Sequence, residues 1–307
     1  MVSDALTDIL SSIRMKGSVF SRAEMTAPFG VESGVTMTGI FHAVVRGQPW
    51  IRLADGAGPV DLEPGDVVLF PFGDNHLITD APGTPPQPIG LLTDVDDRGM
   101  GRLVVDGGGA RTTLLCGKVS FDAADAHPVM DLLPPMIRVR DHDGRIAGVV
   151  ETIIGLISTE VDDPQAGSEI LVARLTDVLL VYALRAYIDA LAPGEGGWLG
   201  ALGDPHVRSA LDRIHAGSAE SVGADQLARA AGMSRSAFFA HFRDQVGMTP
   251  GEYQTRWRIH LAARLLRDEG FSVAAAGRQV GYATEAAFSN AFLRVMGVRP
   301  GAYRRAG

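Results

Sequence analysis

The stretch AFFAHFRDQVGMTPGEY, residues 237–253, decides the fold, because it returns 50 residues later as AFSNAFLRVMGVRPGAY, residues 287–303. In each copy two phenylalanines stand four residues apart, and a short run of small residues ending in glycine precedes the copy. The identical pairs include Ala237/Ala287, Phe238/Phe288, Phe242/Phe292, Gly247/Gly297, Pro250/Pro300, Gly251/Gly301 and Tyr253/Tyr303. A helix, a tight glycine-containing turn and a second helix with phenylalanines on one face are typical of a helix-turn-helix unit. The sequence therefore predicts two such units, each with phenylalanines in its core.

A third helix is predicted to connect the two copies. Thr249-Pro250-Gly251-Glu252 has the features of a helix start. Threonine can cap the first turn, proline suits the first helical position, and glutamate three residues after threonine completes a capping box. We expect the helix to end at about residues 266–268, with a length of roughly 26 Å. A rigid connection of that length can hold two reading helices about one turn of duplex DNA, roughly 34 Å, apart.

The charge of the chain is divided unevenly along its length. The 307 residues carry a net charge of −8, but residues 205–307 hold 14 arginines and 8 acidic residues, a net charge of +6. The other residues hold 14 basic and 28 acidic side chains, a net charge of −14. A basic module attached to an acidic one is typical of a protein that contacts a polyanion through one part, although two ordinary solvated surfaces give the same numbers.

The composition excludes several classes of protein. Hydrophobic residues make up 46% and charged residues 21% of the chain, which excludes a wholly disordered protein. The start, MVSDALTDIL, lacks the pattern of a secretory leader, and the most apolar stretch, residues 170–191, contains charged side chains that favour a buried helix over a membrane span. The single cysteine, Cys116, excludes an internal disulfide and fits a reducing compartment. We therefore expect a cytoplasmic protein.

The hydrophobic pattern changes once along the chain. Residues 35–121 consist of short apolar runs separated by Gly, Pro and Asp, which predicts antiparallel strands in a sandwich or barrel. From about residue 144 the apolar spacing becomes helical, and residues 163–167 interrupt it, which predicts a helical hairpin. The Pro- and Gly-rich residues after 192 are typical of a linker. The predicted fold class is α+β with two domains, at residues 1–192 and 205–307, joined by a linker at residues 193–204.

The segments AGMSRSAFFAHF, GYATEAAFSNAF and VRPGAYRR, between residues 231 and 305, resemble the DNA-binding domain of the AraC/XylS family of bacterial transcription regulators. The resemblance covers about a third of the chain and implies an all-α domain with a double helix-turn-helix. It implies reading helices at about residues 235–245 and 285–296, whose groove-facing residues are Ser236, Phe239, Ala240, Glu285, Ala286, Ser289 and Asn290. Candidate phosphate contacts are Arg235, Arg243, Arg294, Arg304 and Arg305. Many relatives carry Arg where Ala240 and Asn290 stand, so we expect the first unit to contribute mostly phosphate contacts and methyl packing, and Asn290 to read adenine.

The strand-rich region has a motif of its own. Gly65, Pro71, Gly73 and His76 keep the spacing of the second motif of the cupin superfamily. The resemblance, over about residues 10–190, implies a cupin-type β-barrel or jelly roll that senses an effector, with the helical hairpin as a dimerisation element. The first cupin motif is poorly kept, because His42 stands alone where metal-binding cupins show two histidines and a glutamate.

His42, His76 and Cys116 are candidate ligands of a metal or an effector. Relatives in this subgroup resemble the chain in a His, a His and a Cys-Gly at these places. Two imidazoles and one thiolate suit Zn²⁺, with the fourth position left to water, effector or another side chain such as His127. An alternative stays open, in which Cys116 is an inert core residue and His76 a hydrogen-bonded residue of the barrel.

Two functions are compatible with these features. The first is a sequence-specific DNA-binding transcription regulator whose cupin domain senses a small molecule, a metal or a redox signal. The alternative is a metal-dependent cupin enzyme with an accessory DNA-binding module, but an iron oxygenase needs two histidines and a carboxylate, and we expect no catalytic residues here. The implied partners are double-stranded DNA, a small-molecule or metal effector, a second copy of the chain in a homodimer, and RNA polymerase, with no membrane.

Overall fold

A computed structural model describes residues 16–56, 58–91, 93–95, 101–120, 133–140, 147–191, 197–216 and 222–306. The chain divides into two compact units, one of which includes residues 15–120 and 134–190, while the other includes Leu191 to Gly307. None of the helices found in these ranges is long and apolar enough to cross a membrane.

The first unit is built from two β-sheets and a helical hairpin. Its strands are β1 (Lys16–Thr26), β2 (Gly30–Glu32), β3 (Gly39–Arg46), β4 (Trp50–Leu53), β5 (Val60–Asp61), β6 (Val67–Phe70), β7 (His76–Thr79), β8 (Gln87–Pro88), β9 (Thr93–Val95), β10 (Gly101–Asp106), β11 (Arg111–Ser120) and β12 (Ile137–Val139). A seven-stranded sheet has the order β12-β6-β3-β11-β1-β10-β9, and a five-stranded sheet has the order β5-β4-β7-β2-β8. One hydrophobic core takes side chains from both sheets, among them Val44 of β3 and Ile78 of β7. The sheets therefore pack face to face, as expected for the cupin fold.

The larger sheet is covered on both faces. In β3 and β11 nearly every residue is buried, including successive residues that point to opposite sides. One side faces the core between the sheets, and helices α1 (Ala147–Asp162) and α2 (Ser168–Ala190) pack on this sheet. A strand covered on both sides has a continuous apolar sequence, which is why GIFHAVV, residues 39–45, does not alternate.

Helices α1 and α2 form the hairpin that the sequence predicts. Ser168 closes the turn between them, since its hydroxyl accepts the Gln165 N–H at 2.7 Å and donates to Glu160 at 2.6 Å. Helix α2 buries residues such as Val172 and Leu179, yet a second apolar stripe remains exposed, with Leu171 50% and Val178 43% accessible. The expectation of a buried helix over residues 170–191 therefore holds for one face of α2.

The second unit is helical. Its elements are α3 (Gly197–Gly203), α4 (Pro205–Ala216), α5 (Ala224–Ala230), α6 (Arg235–Val246), α7 (Pro250–Arg267), α8 (Val273–Gln279), α9 (Glu285–Met296) and α10 (Pro300–Ala306). The pairs α5–α6 and α8–α9 are the two predicted helix-turn-helix units, and α7 connects them. Phe238, Phe242, Phe288 and Phe292 are fully buried. The phenylalanines shared by the two copies are thus core residues, as predicted.

Two segments differ from the sequence-based expectation. Gly197–Gly203 forms helix α3 inside the predicted linker, because Leu199, Ala201 and Leu202 are buried against α4 and α6. Ile89–Leu91 is an apolar run within residues 35–121, where the sequence predicts strands, but it forms a 3-10 turn. Pro85, Pro86 and Pro88 lie just before that turn. Because proline has no N–H for a strand ladder, strand β8 ends at Pro88 and does not continue into these residues.

Candidate functional site

Helix α6 presents one solvent-exposed face opposite its buried phenylalanines. Ser234 caps the helix by accepting the Ala237 N–H, and Gly247 ends it with a φ of +79°, a conformation that favours glycine. The predicted contact residues Arg235, Ser236, Ala240 and Arg243 are exposed and Phe239 is half-buried. Their spacing of one, four, five and eight residues from Arg235 places them on one side of the helix.

Arg235 has weak partners within the unit. Its guanidinium lies 3.4 Å from a carboxylate oxygen of Asp225 and 5.9 Å from the centroid of the Phe239 ring. Both members of the ion pair are about two-thirds exposed, and such pairs contribute little to stability. Arg235 can therefore exchange Asp225 for a phosphate at small cost.

Helix α9 repeats this arrangement in the second helix-turn-helix unit. Thr284 caps it through the Ala287 N–H, and Gly297 ends it with a φ of +71°. The predicted contact residues Glu285, Ala286, Asn290 and Arg294 are exposed, Ser289 is half-buried, and Arg304 and Arg305 on α10 are exposed. The two copies thus expose equivalent faces, and the second carries Asn290 where the first carries Ala240.

Two arginines of helix α7 hold it against the second helix-turn-helix unit and the helix that follows it. Arg258 donates to the carbonyl oxygen of Val280, and its guanidinium lies 4.4 Å from the centroid of the Tyr282 ring. Arg267 donates to the Tyr303 hydroxyl at 3.5 Å. Sequence reasoning did not assign these contacts, which use arginines within the domain and hold the turn between α8 and α9, and helix α10, against α7.

The other candidate residues meet inside the barrel. His42 on β3 stands directly opposite Cys116 on β11 in the antiparallel register, and His76 lies on β7 of the facing sheet. The Nδ1 atom of His42 is 3.1 Å from Sγ of Cys116, and its Nε2 atom is 2.7 Å from Nε2 of His76. All three side chains are buried. The structure therefore joins the three residues in one Cys-His-His chain.

The proton positions in the Cys-His-His chain follow from its far end. The Nδ1 atom of His76 lies 2.8 Å from the backbone oxygen of Asp74, which can only accept, so Nδ1 carries the hydrogen. The Nε2 atom of His76 then accepts from Nε2–H of His42. The Nδ1 atom of His42 is left as an acceptor, and the thiol of Cys116 donates to it. Sequence reasoning missed Asp74, whose contact uses a backbone atom.

Burial keeps the Cys-His-His chain uncharged. It lowers the pKa of His42 well below the usual value, and the neighbouring His76 lowers it further. Burial also lowers the pKa of His76 to about 4, against the opposing hydrogen bond to Asp74. Burial raises the pKa of the Cys116 thiol to about 12. At neutral pH the Cys-His-His chain therefore consists of a thiol and two neutral imidazoles.

The three side chains do not converge on a single point. His42 turns one ring nitrogen to Cys116 and the other to His76, so one ion cannot contact all three without rearrangement. Over the described ranges, no group of three or more His, Cys, Asp or Glu side chains could hold a metal ion. In this arrangement the three side chains do not surround one point, so the three-ligand Zn²⁺ site stays a prediction. His127 lies outside the described residues.

Gly117, the residue after Cys116, is required for the packing of β3 against β11. A Cβ atom at this position would lie 2.0 Å from Cε1 of Phe41, whose ring is completely buried. Phe41 pairs with Gly117 across the strands, next to the His42–Cys116 pair. The glycine thus lets an aromatic ring lie against the strand that carries Cys116.

Comparisons with known proteins cover both units. A cupin family model matches residues 4–189, and a helix-turn-helix domain model matches residues 227–306. An AraC-like transcription regulator of Streptomyces lividans is 32% identical over 302 residues, which cover 98% of both chains. A second, from Streptomyces antibioticus, is 32% identical over 303 residues, again 98% of both chains. Among solved structures, one match is the DNA-binding domain of AdpA, a global transcriptional factor, crystallised in complex with a target DNA. Its sequence is 30% identical and its TM-score is 0.32, and the match covers 34% of this chain and 92% of the AdpA domain.

Proposed function

Because this chain belongs to the AraC-like transcription regulators, we propose that it binds promoter DNA through α6 and α9, and that its cupin unit controls this binding. The supporting observation is the pair of equivalent exposed faces on these helices, each held in place by two fully buried phenylalanines. A helix of this kind enters the major groove, where base edges can be distinguished. In bacteria, promoter DNA lies in the cytoplasm, so we place the action of this protein there, with RNA polymerase as a candidate partner.

The two helices have different tasks in this proposal. Asn290 on α9 reads an adenine through its amide, since Asn pairs with the N6 and N7 atoms of that base. The corresponding Ala240 on α6 has only a methyl group, so α6 contributes phosphate contacts from Arg235 and Arg243. Sequence preference therefore comes mainly from the second helix-turn-helix unit, and both helix-turn-helix units contribute electrostatic attraction to the DNA phosphates.

The cupin unit is proposed to receive the signal, either a small molecule or a metal ion. An oxidation signal at Cys116 is less well supported, because oxidants react with thiolates and burial keeps this thiol protonated. The Cys-His-His chain lies between the two sheets, where a bound species would contact both. Such a species changes DNA binding by favouring one of two arrangements of the protein.

The active form is proposed to be a homodimer formed through the hairpin. The exposed stripe on α2 includes Leu171 and Val178, and α1 exposes Leu156 and Val149 on its own surface. Exposed apolar residues grouped on two neighbouring helices are typical of an interaction surface. A second copy of the chain would cover the stripe and bring two DNA-binding units together.

An enzyme receives less support from the site. In the part of the chain that the structure describes, the hydrogen-bond partners of His42 and His76 are a thiol, a hydroxyl, a backbone oxygen and each other. A facial iron site requires a carboxylate beside two histidines. We therefore propose a regulator without catalytic activity.

DNA binding by Asn290→Ala and Arg304→Ala tests the reading function. Asn290→Ala should change the preference at one or two base pairs by about 1–3 kcal/mol and leave non-specific affinity unchanged. Arg304→Ala should weaken binding to all sequences alike and reduce the salt slope by about one. Competition binding with randomised duplexes at several salt concentrations measures both effects. Equal affinity of the unaltered full-length protein for promoter fragments and random duplex at physiological salt would refute the proposal.

A further inference from the structure

We propose that Cys116 and His42 bind one soft monovalent metal ion, of the Cu⁺ class, in exchange for the thiol proton. The regulatory meaning of this site rests on the proposed function of the cupin unit as the signal receiver, but the binding itself does not. The site differs from the three-ligand zinc site expected from the sequence in both its ligands and its ion.

The hydrogen-bond chain prepares the two ligands. His42 donates through Nε2 to His76, which is itself fixed by the backbone oxygen of Asp74. The lone pair of His42 Nδ1 is thereby directed at Sγ of Cys116, 3.1 Å away, and these two atoms move apart when an ion replaces the proton between them. A histidine that binds a metal usually donates its second ring N–H to a fixed acceptor, which sets its tautomer and orientation. His76 provides that acceptor here.

The surroundings of the pair select the charge of the ion. Cys116 lies in the apolar core with Val44 and Phe70, and the Phe70 ring stacks on His76 at a centroid distance of 3.9 Å. No carboxylate oxygen is among the described hydrogen-bond partners of the three side chains. Replacing the thiol proton by a monovalent cation keeps the site neutral. A divalent cation would leave one uncompensated positive charge in the core, which is strongly unfavourable.

The sulfur selects the chemical class of the ion. Thiolate is a soft ligand and prefers Cu⁺ among the monovalent ions, whereas Na⁺ and K⁺ prefer oxygen. Structural zinc sites use four protein ligands and catalytic sites three, and this pair supplies two. On binding, the sulfur–hydrogen bond breaks, a sulfur–metal bond and a nitrogen–metal bond form, and the proton leaves to solvent. No group is oxidised or reduced.

The test is Cu⁺ binding by the full-length protein under anaerobic conditions, in competition with the chelator bathocuproine disulfonate. We expect one equivalent of Cu⁺ to bind and X-ray absorption to show one sulfur and one nitrogen ligand. Cys116→Ser should abolish stoichiometric binding while the hydroxyl keeps the hydrogen bond to His42. His76→Asn should weaken binding about 10–100-fold, as expected when the residue that orients a ligand is lost. Met37→Leu is the control for surface sulfur, because Met37 is 99% exposed, and should change nothing.

Three results would overturn the proposal. They are Cu⁺ binding that survives Cys116→Ser, absence of stoichiometric binding to the unaltered protein, and tighter Cys116-dependent binding of Zn²⁺ than of Cu⁺. Circular dichroism and thermal melting show whether each variant is folded. If Cys116→Ser is unfolded, His42→Gln provides a second way to remove the site. DNA binding is measured on the same preparations, so a failure of metal binding with intact promoter recognition refutes this inference and leaves the proposed function standing.

Discussion

Replacing Phe292 by alanine should destabilise the second helix-turn-helix unit by about 4 kcal/mol. The side chain is fully buried in a core formed by α7, α8 and α9. Truncation of a buried phenylalanine to alanine costs about 3–5 kcal/mol. The ring also lies 5.6 Å from the Phe288 ring and 5.4 Å from the Tyr303 ring, and each such pair adds about 0.5–1.5 kcal/mol. The expected loss is therefore not at the low end of that range but about 4 kcal/mol.

Hydrogen exchange of the full-length protein, read by mass spectrometry, measures this loss locally. A loss of about 4 kcal/mol corresponds to roughly thousandfold faster exchange in peptides from α8 and α9, where exchange requires opening of the unit. Asn290→Ala, two residues away on the exposed face of the same helix, is the matched control and should change stability by less than about 0.5 kcal/mol.

The internal repeat supplies a second comparison. Phe242 is also fully buried, with ring centroids of Phe238 and Tyr253 at 5.6 and 6.0 Å. Phe242→Ala should therefore destabilise the first unit by a similar amount. A cost below about 1 kcal/mol for Phe292→Ala, or an equal cost for Asn290→Ala, would refute the assignment of the phenylalanines to structure and of the opposite face to recognition.

Further outcomes follow from other contacts. Thr249→Ala should lower the free energy of unfolding by about 1 kcal/mol in urea titrations, because it removes the cap of α7. Glu252 accepts hydrogen bonds from the Thr249 N–H and hydroxyl, and these lower the pKa of its carboxyl in the folded state. The stability that Glu252 contributes should therefore be complete above its pKa in the unfolded chain and be lost as the pH falls through its pKa in the folded protein. The free energy of unfolding of Thr249→Ala should depend less on pH, because the hydroxyl is missing. Iodoacetamide at pH 8 should alkylate Cys116 about three orders of magnitude more slowly than an unperturbed exposed thiol. In denaturant the rate should equal that of the exposed thiol. Fast alkylation of the native protein would contradict the uncharged state of the Cys-His-His chain. Val178→Glu should shift sedimentation from dimer to monomer, whereas Met37→Glu, at an exposed apolar residue away from the stripe, should not; an unaltered protein that sediments as a monomer would exclude the dimer.

The helices of the second unit were predictable because their ends are local. Helix α9 begins and ends at the expected residues, and α6 extends one residue beyond expectation. Ser234 and Thr284 cap the first turns of these helices, and Gly247 and Gly297, with positive φ, follow their last residues. Such signals act within a few residues of the chain, so a sequence pattern contains them.

Other elements depend on distant partners and were not predictable. Ile137–Val139 is a three-residue strand only because it pairs with β6, almost 70 residues earlier. Helix α3 lies in a glycine-rich segment that suggests a linker, and it is stabilised by burial of its leucines. Short elements with weak propensity form when tertiary contacts stabilise them.

The candidate residues of the barrel were predictable, but their arrangement was not. Cupin-like spacing identified His76, and His42 and Cys116 were found as metal-ligating residue types in strands. Which ring nitrogen of His42 faces which neighbour depends on side-chain rotation in the packed core, and the backbone oxygen of Asp74 sets the proton order. The residues that a site uses and the chemistry that it can perform are therefore separate questions.

Gly117 has a practical consequence for redesign of the barrel. Any larger residue there would displace Phe41 and with it the pairing of β3 and β11, whereas the neighbouring Cys116 can be exchanged for side chains of similar size. A mutant library meant to alter the proposed effector site should therefore randomise positions 42, 76 and 116 and keep Phe41 and Gly117 constant. The altered chemistry would then be carried by an unaltered scaffold.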